Sequence, residues 1–178
     1  MMNHKINLPI KSNDFESLKL GDIVYLNGTI ITARDQAHKK IINLNKSYEL
    51  PPIFNSVKNS AIYHCGPLVK EKDNSYSIIS AGPTTSQRMD TLQNEVIDIL
   101  KVKFIIGKGG MRNLNTENNR VAYLSYPGGC GAIINQKVKK IIDVKWIDLG
   151  LCEAVWFLDV SQFGPLIVSQ INGKSLYK

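Results

Sequence analysis

Long apolar runs are missing from this sequence. No stretch reaches the ~18 uninterrupted apolar residues of a membrane helix, so no membrane role is expected. Cysteine is scarce: Cys65, Cys130 and Cys152 stand at irregular spacing with no C-x-x-C pair, which excludes a disulfide framework. Three thiolates could hold an iron–sulfur cluster with one open iron. Their separation along the chain favours the plainer role of small buried apolar residues. Internal repeats and low-complexity segments are absent. The composition, 43% hydrophobic and 21% charged, excludes a wholly disordered, collagen-like or coiled-coil chain. The opening residues, Met-Met-Asn-His-Lys-Ile-Asn, lack the apolar stretch of a secretory signal, and a cytoplasmic location is expected.

What is present fits one α/β domain spanning residues 1–178, with residues 1–20 as an approach segment. The 178 residues are 43% hydrophobic and 21% charged, ordinary for a globular chain. Twenty-two Lys and Arg against fifteen Asp and Glu leave a formal charge of +7, a surplus that attracts anions. The basic residues fall in short groups, Lys39-Lys40, Lys101/Lys103 and Lys137/Lys139/Lys140. No nucleic-acid module accompanies them, so nucleic-acid binding is not expected.

Apolar periodicity outlines the elements. Ile6 to Pro9 reads as a strand. Ile23–Leu26 and Thr29–Thr32 flank Asn27-Gly28, which predicts a hairpin. Ala37, Ile41 and Leu44 predict a helix from Ala33 to about Asn45. Strands are expected at 60–63, 76–80, 102–106, 121–125, 154–160 and 166–169. Thr84-Thr85-Ser86 offers N-caps for a helix to about Leu100. Pro127-Gly128-Gly129 opens another, with Ile133, Ile134 and Val138 on its apolar edge. Residues 111–120 read as a loop or short helix. Helices alternating with strands, an early hairpin and a strand-rich end predict a layered α/β fold with a mixed sheet.

Four polar clusters lie where a strand gives way to a helix or loop: Thr32-Ala33-Arg34-Asp35, Tyr63-His64-Cys65-Gly66-Pro67, Gly82 to Arg88, and Gly107-Lys108-Gly109-Gly110. Ligands of open α/β sheets collect at the carboxyl ends of strands. Arg34, Arg88 and Lys108 bring cations there, and two clusters precede a helix start, which favours anions. Arginine grips a carboxylate through two parallel hydrogen bonds, and lysine adds a compact charge. The set suits a small dicarboxylate. Gly107-Lys108-Gly109-Gly110 is neither a Walker A loop nor G-x-G-x-x-G, since Val102, Gly109 and Arg112 occupy the deciding positions. No G-x-S-x-G elbow supports a serine hydrolase. His38, one helical turn after Arg34, is expected to be exposed.

With these clusters in view, the chain resembles the β subunit, or C-terminal domain, of the iron–sulfur hydro-lyases, class I fumarate hydratase and L-tartrate dehydratase. The matching segments include Gly21 to Gly28, Thr32-Ala33-Arg34-Asp35 with His38, and Gly66-Pro67. Ser80 to Met89 (SAGPTTSQRM) and Ile106 to Met111 (IGKGGM) are the most specific. Pro127-Gly128-Gly129-Cys130 and Glu153-Ala154-Val155-Trp156 complete the set. The resemblance implies a swivelling β/β/α-type domain that is active only with an α subunit. That partner would carry a [4Fe-4S] cluster on its own cysteines, so Cys65, Cys130 and Cys152 should not be ligands. Arg34 and Arg88 would bind substrate carboxylates with Lys108, and the catalytic residues would be Lys108 and Thr84, the latter as the proton-abstracting base. Asp35 and His38 would orient Arg34. Reversible hydration of fumarate to L-malate is the leading activity. Dehydration of L-tartrate to oxaloacetate is the alternative, and a stand-alone dicarboxylate-binding module the reading of another class. A β–β contact is also expected. The region after Met111 departs from the family's alanine- and acid-rich helix.

Overall fold

The computed structural model describes residues 1–73, 75–129 and 131–177, without the side chains at 119 and 132. Its elements run β1 (Asn3–Asn7), α1 (Ser12–Glu16), β2 (Ile23–Thr32), α2 (Asp35–Lys46), β3 (Ala61–Tyr63), β4 (Leu68–Lys72) and β5 (Ser75–Ser80). They continue with α3 (Gln93–Leu100), β6 (Phe104–Gly107), β7 (Ala122–Ser125), α4 (Gly131–Ile134), β8 (Val138–Lys145), β9 (Val155–Ile171) and β10 (Lys174–Ser175). Short 3₁₀ turns occupy Pro52–Val57 and Ser86–Met89. No helix among the described residues is long and apolar enough to cross a membrane.

β1, β2, β3, β6 and β7 pair in parallel in that order. The 17-residue β9 then runs antiparallel to both β7 and β2. The pairing therefore closes on itself through β2, β3, β6, β7 and β9. β8 adds to the first half of β9, and β4 with β5 forms a separate hairpin. The expected α/β class with a mixed sheet is what the chain adopts.

Successive strand residues point to opposite faces, and here both faces are apolar. Ile30, Ala61, Tyr63, Phe104, Ile106, Leu124, Trp156 and Leu158 point inward to one buried cluster. Ile31, Ile62, Ile105, Tyr123, Val155 and Phe157 point outward to a second. α2 and α3 cover the second with Ala37, Ile41, Val96, Ile97 and Leu100. Phe54 wedges between them, edge-on to Phe157 at 5.2 Å and stacked on Trp146 at 5.1 Å.

Several expectations are corrected. Asn27-Gly28 is no hairpin turn. β2 runs straight through it, and its register against β9 shifts on both sides of Leu26. Asn27 Oδ1 accepts from the Gln162 N–H at 2.9 Å. Gly28, at φ +109°, brings its backbone so close to the residue that follows β1 that a Cβ would sit 2.8 Å from the Leu8 carbonyl. The pair marks a bulge, because neighbours on both edges hold the strand extended. The strands expected at 154–160 and 166–169 are one, bent at Gln162 and Gly164, which have positive φ. The helix after Gly129 stops at Ile134, and Val138 begins β8 instead. Val138, Ile141 and Val144 have helical spacing, but β9 offers an open edge and β-branched residues fit it. Ile134 is buried and Ile133 exposed. Residues 84–100 do not form one helix: a 3₁₀ turn precedes α3, and neither start carries a side-chain cap. The approach segment contains β1 and α1.

Replacing Phe157 by Ala should cost about 3–5 kcal/mol, the usual range for a buried Phe, because it opens the joint between the sheet and both helices. A urea titration yielding a loss under about 1 kcal/mol would contradict this packing role.

Candidate active site

Because β2, β3, β6 and β7 are parallel, their carboxyl ends meet at one edge of the sheet. The segments leaving that edge carry Arg34, His64 to Gly66, Lys108 to Gly110, and Tyr126 to Gly129. The segment after β5 crosses them. The Thr84 N–H donates to the His64 carbonyl at 2.8 Å, the Lys108 N–H to the Thr84 carbonyl at 3.3 Å, and the Ser86 N–H to the Lys108 carbonyl at 3.0 Å. Thr85 and Lys108 pair as a parallel bridge, and Cys65 and Pro83 as an antiparallel one. Three of the clusters separated in sequence are thus stitched together through backbone. The N–H groups that a helix start would have left for capping are spent on this stitching.

The fourth cluster joins through charge. Arg88 Nη2 lies 3.5 Å from Asp35 Oδ1. Arg34 Nε lies 3.1 Å from Glu153 Oε1, while Glu153 Oε2 accepts from the Gln36 N–H at the start of α2, at 3.2 Å. Gly66 makes room for this arginine, since a Cβ there would meet Arg34 Nη1 at 2.8 Å and the Cys152 carbonyl at 2.7 Å. Lys108 is exposed and enters no ion pair among the described residues. The edge therefore carries three cations and two carboxylates. The Arg88 pair is half exposed and long, a kind of contact worth about 0–1 kcal/mol, so an anionic ligand can exchange for Asp35 at little expense. The Arg34 pair is more enclosed, with side chains about one-fifth exposed, and holds its guanidinium in place.

Beneath the edge lies a buried polar chain. His38 Nδ1 sits 2.7 Å from the Arg34 carbonyl, and its Nε2 sits 2.9 Å from the Gln93 amide. The same amide meets His64 Nε2 at 2.6 Å. His64 Nδ1 meets Ser86 Oγ at 2.8 Å, and Ser86 shares a further hydrogen bond of 2.8 Å with the Tyr123 hydroxyl. His38, His64, Ser86 and Gln93 are all fully buried. Burial holds His38 below the ordinary imidazole value, against the opposing pull of the Arg34 carbonyl, Gln93 and Asp35. Burial, followed by repulsion from His38, depresses His64 to about 3. Burial also keeps the Tyr123 phenol protonated.

His38 was expected on the surface; its fully buried ring corrects this, because the chain of polar partners satisfies both nitrogens. It touches the Arg34 carbonyl and not its guanidinium. Asp35, expected to orient Arg34, pairs with Arg88, and the carboxylate on Arg34 comes from Glu153. Sequence reasoning also missed Gln93, Ser86 and Tyr123. Nothing in the apolar period of α3 marks Gln93 as different from a surface glutamine. Gly107 carried the only signal. Its φ is unremarkable, yet a Cβ there would overlap Ser86 Oγ and stand 2.9 Å from the Tyr123 hydroxyl. Cys65 is buried and Cys152 exposed, and Cys130 lies outside the described residues. No group of three or more His, Cys, Asp or Glu among the described residues is placed to hold a metal ion.

Known proteins are similar to this chain along most of its length. A family model described as Fumarase C-terminus matches residues 2–178. A protein of Methanocaldococcus jannaschii named "Putative L(+)-tartrate dehydratase subunit beta" is 47% identical over 174 residues, covering 95% of this chain and 88% of that protein. The L(+)-tartrate dehydratase subunit beta of Escherichia coli K12 is 37% identical over 171 residues, covering 94% and 83%. A protein of Geobacillus stearothermophilus named "Putative fumarate hydratase class I" is 29% identical over 177 residues, covering 97% of this chain and 33% of that protein.

The two buried imidazoles set a pH dependence. In the unfolded chain they take up protons near pH 6.5, whereas the folded protein resists protonation. Their contribution to stability is full above that value and declines as pH falls toward the depressed folded values. The urea midpoint should therefore drop between pH 7 and pH 5, and an unchanged midpoint across that window would contradict two neutral buried rings.

Proposed function

The chain belongs to the Fumarase C-terminus family, the β-subunit or C-terminal-domain family of class I fumarate hydratases and L-tartrate dehydratases, and from that membership we propose that it is the β subunit of an L-tartrate dehydratase. The observation that carries the reading is the meeting of Thr84, Arg88 and Lys108 with Arg34 at one strand edge. The choice of substrate rests on the relatives. Those named for tartrate dehydratase are 47% and 37% identical over more than four-fifths of their length, against 29% over a third of the fumarate hydratase. Fumarate, the leading expectation from the sequence, becomes the second reading.

In this reading a cytoplasmic α subunit carries the [4Fe-4S] cluster. This chain's described residues do not fit that group, since no ligand set stands together, and their work is on the substrate. Arg34 and Arg88 each take one carboxylate of the dicarboxylate, with two parallel N–H donors apiece. Asp35 releases Arg88 as it does so, while Glu153 keeps Arg34 aimed. Lys108 adds a compact charge at the same edge. The Thr84 hydroxyl accepts the proton leaving the substrate carbon. A threonine hydroxyl is a weak base until its own proton is drawn off, so a neighbouring group supplied at assembly completes it. L-Tartrate thereby loses water and yields oxaloacetate. The whole chain acts as one domain, with a β–β contact in the assembly.

The test is anaerobic purification with the partner chain, followed by assay on L-tartrate and on fumarate. Tartrate dehydration is expected. Fumarate hydration alone would keep the family chemistry and replace the substrate. Arg88→Ala and Lys108→Ala should each lower kcat/KM by about 10²-fold or more, and Thr84→Val should lower kcat by about 10²–10⁴-fold. Unchanged turnover in Arg34→Ala, Arg88→Ala and Lys108→Ala together would refute the anion site, and unchanged turnover in Thr84→Val would remove Thr84 as the base.

A further inference from the structure

The buried chain beneath the site poses a problem of proton counting. His38 Nδ1 faces a backbone carbonyl, which only accepts, so that nitrogen carries a proton. With Gln93 Oε1 toward the rings, both Nε2 atoms would also need protons. His38 would then be an imidazolium in a fully buried place, while Gln93 Nε2, also buried, has no partner among the described residues. A half-turn of the amide resolves the first conflict and eases the second, since the carbonyl oxygen then takes the unpartnered place and a buried oxygen is left unpaired more readily than an N–H. Its two N–H groups then point at two imidazole lone pairs, and each ring keeps a single proton on Nδ1. His38 donates that proton to the Arg34 carbonyl and His64 donates to Ser86 Oγ.

We propose that Gln93 is a positioning residue that donates one amide proton to each of His38 and His64, fixes both rings as Nδ1–H tautomers, and so sets the segments bearing Thr84, Arg88 and Lys108 in register with Arg34. The geometry connects each part. At one end the chain reaches the residue that opens α2, Arg34, through its carbonyl, which also accepts the His38 N–H at 2.9 Å. At the other end it reaches Ser86, whose N–H is bound to the Lys108 carbonyl and whose hydroxyl fills the space a Gly107 side chain would need. Tyr123 closes it from β7 and is met by the backbone of Gly110. Four elements carrying or flanking the cations therefore share one polar chain with a defined donor direction. Gln93 is its only member facing two rings at once. The glycine of the Gly-Lys-Gly-Gly loop is explained as the vacancy this chain occupies.

Only the kinetic arm of the test rests on the hydro-lyase reading. The full chain contains three histidines, so ¹⁵N-imidazole spectra are simple to assign. At pH 7 His38 and His64 should each show a protonated Nδ1 and a bare Nε2. An Nε2–H tautomer or an imidazolium at either ring would overturn the proposal. Gln93→Glu keeps the shape but replaces the donor by an acceptor. It should convert at least one ring to the imidazolium signature and shift the backbone amide signals of Thr84 and Lys108. Unaltered rings and loop signals in that variant would overturn it. In the assembled enzyme, Gln93→Glu should lower kcat at least tenfold, and unchanged kcat and KM would overturn the positioning role. Absence of hydro-lyase activity in the wild-type assembly would instead fail the function reading, leaving the spectra to decide the tautomers.

Discussion

The pairing of β9 with both β2 and β7 is the constraint from which the rest follows. A sheet of parallel strands has two open edges, each a row of unpaired backbone groups. Here a single antiparallel strand satisfies both, running from the β2 side to the β7 side along 17 residues. Closure gives the sheet an inside and an outside. It lets Trp156, Leu158, Tyr63 and Phe104 fill one apolar volume while the intervening residues face the helices. It also brings the carboxyl ends of β2, β3, β6 and β7 to a common rim, where segments far apart in the chain become neighbours.

At that rim the structure separates two kinds of polar work. The outer layer consists of the three cations. Arg88 rests on Asp35 at a long distance, Lys108 stands in the open, and Arg34 is held by a carboxylate of the same chain. The layer beneath it, His38, Gln93, His64, Ser86 and Tyr123, is fully buried. A buried polar group lacking a partner costs about 1–3 kcal/mol, so this layer is stable only in one arrangement of loops. That demand is what makes it suitable for holding a rim of charged side chains in a defined register. Glycines at 66 and 107 serve the same end, each removing a side chain where an arginine or a polar chain must pass.

Much of the candidate site was legible in the chain itself. Arg34 and Lys108 follow strand ends and Arg88 follows the Thr-Thr-Ser run, beside Gly, Ser or Thr in each case, and that context marks them in the sequence. The alternation of strands and helices also gave the layered class and the boundaries of α2, β3, β5 and β7 within a few residues. Misreadings came where a local signal had two outcomes. Asn-Gly suits a turn and equally a bulge, and neighbours on both edges of β2 decided for the bulge. Val138, Ile141 and Val144 fit one face of a helix, but an open edge of β9 drew them into a strand.

By itself, then, the sequence determined the fold class, the placement of the three cations at junctions between elements and the family, because these depend on residue type, periodicity and short motifs that survive any arrangement in space. Tertiary structure alone decided which acid faces which arginine, that His38 is buried, and that Gln93, His64, Ser86 and Tyr123 form one chain. Those partners come from five separate segments, and hydrogen bonds and ion pairs act over about 3–4 Å. No spacing along the chain encodes a contact that exists only once a closed sheet has folded its strand ends onto one rim.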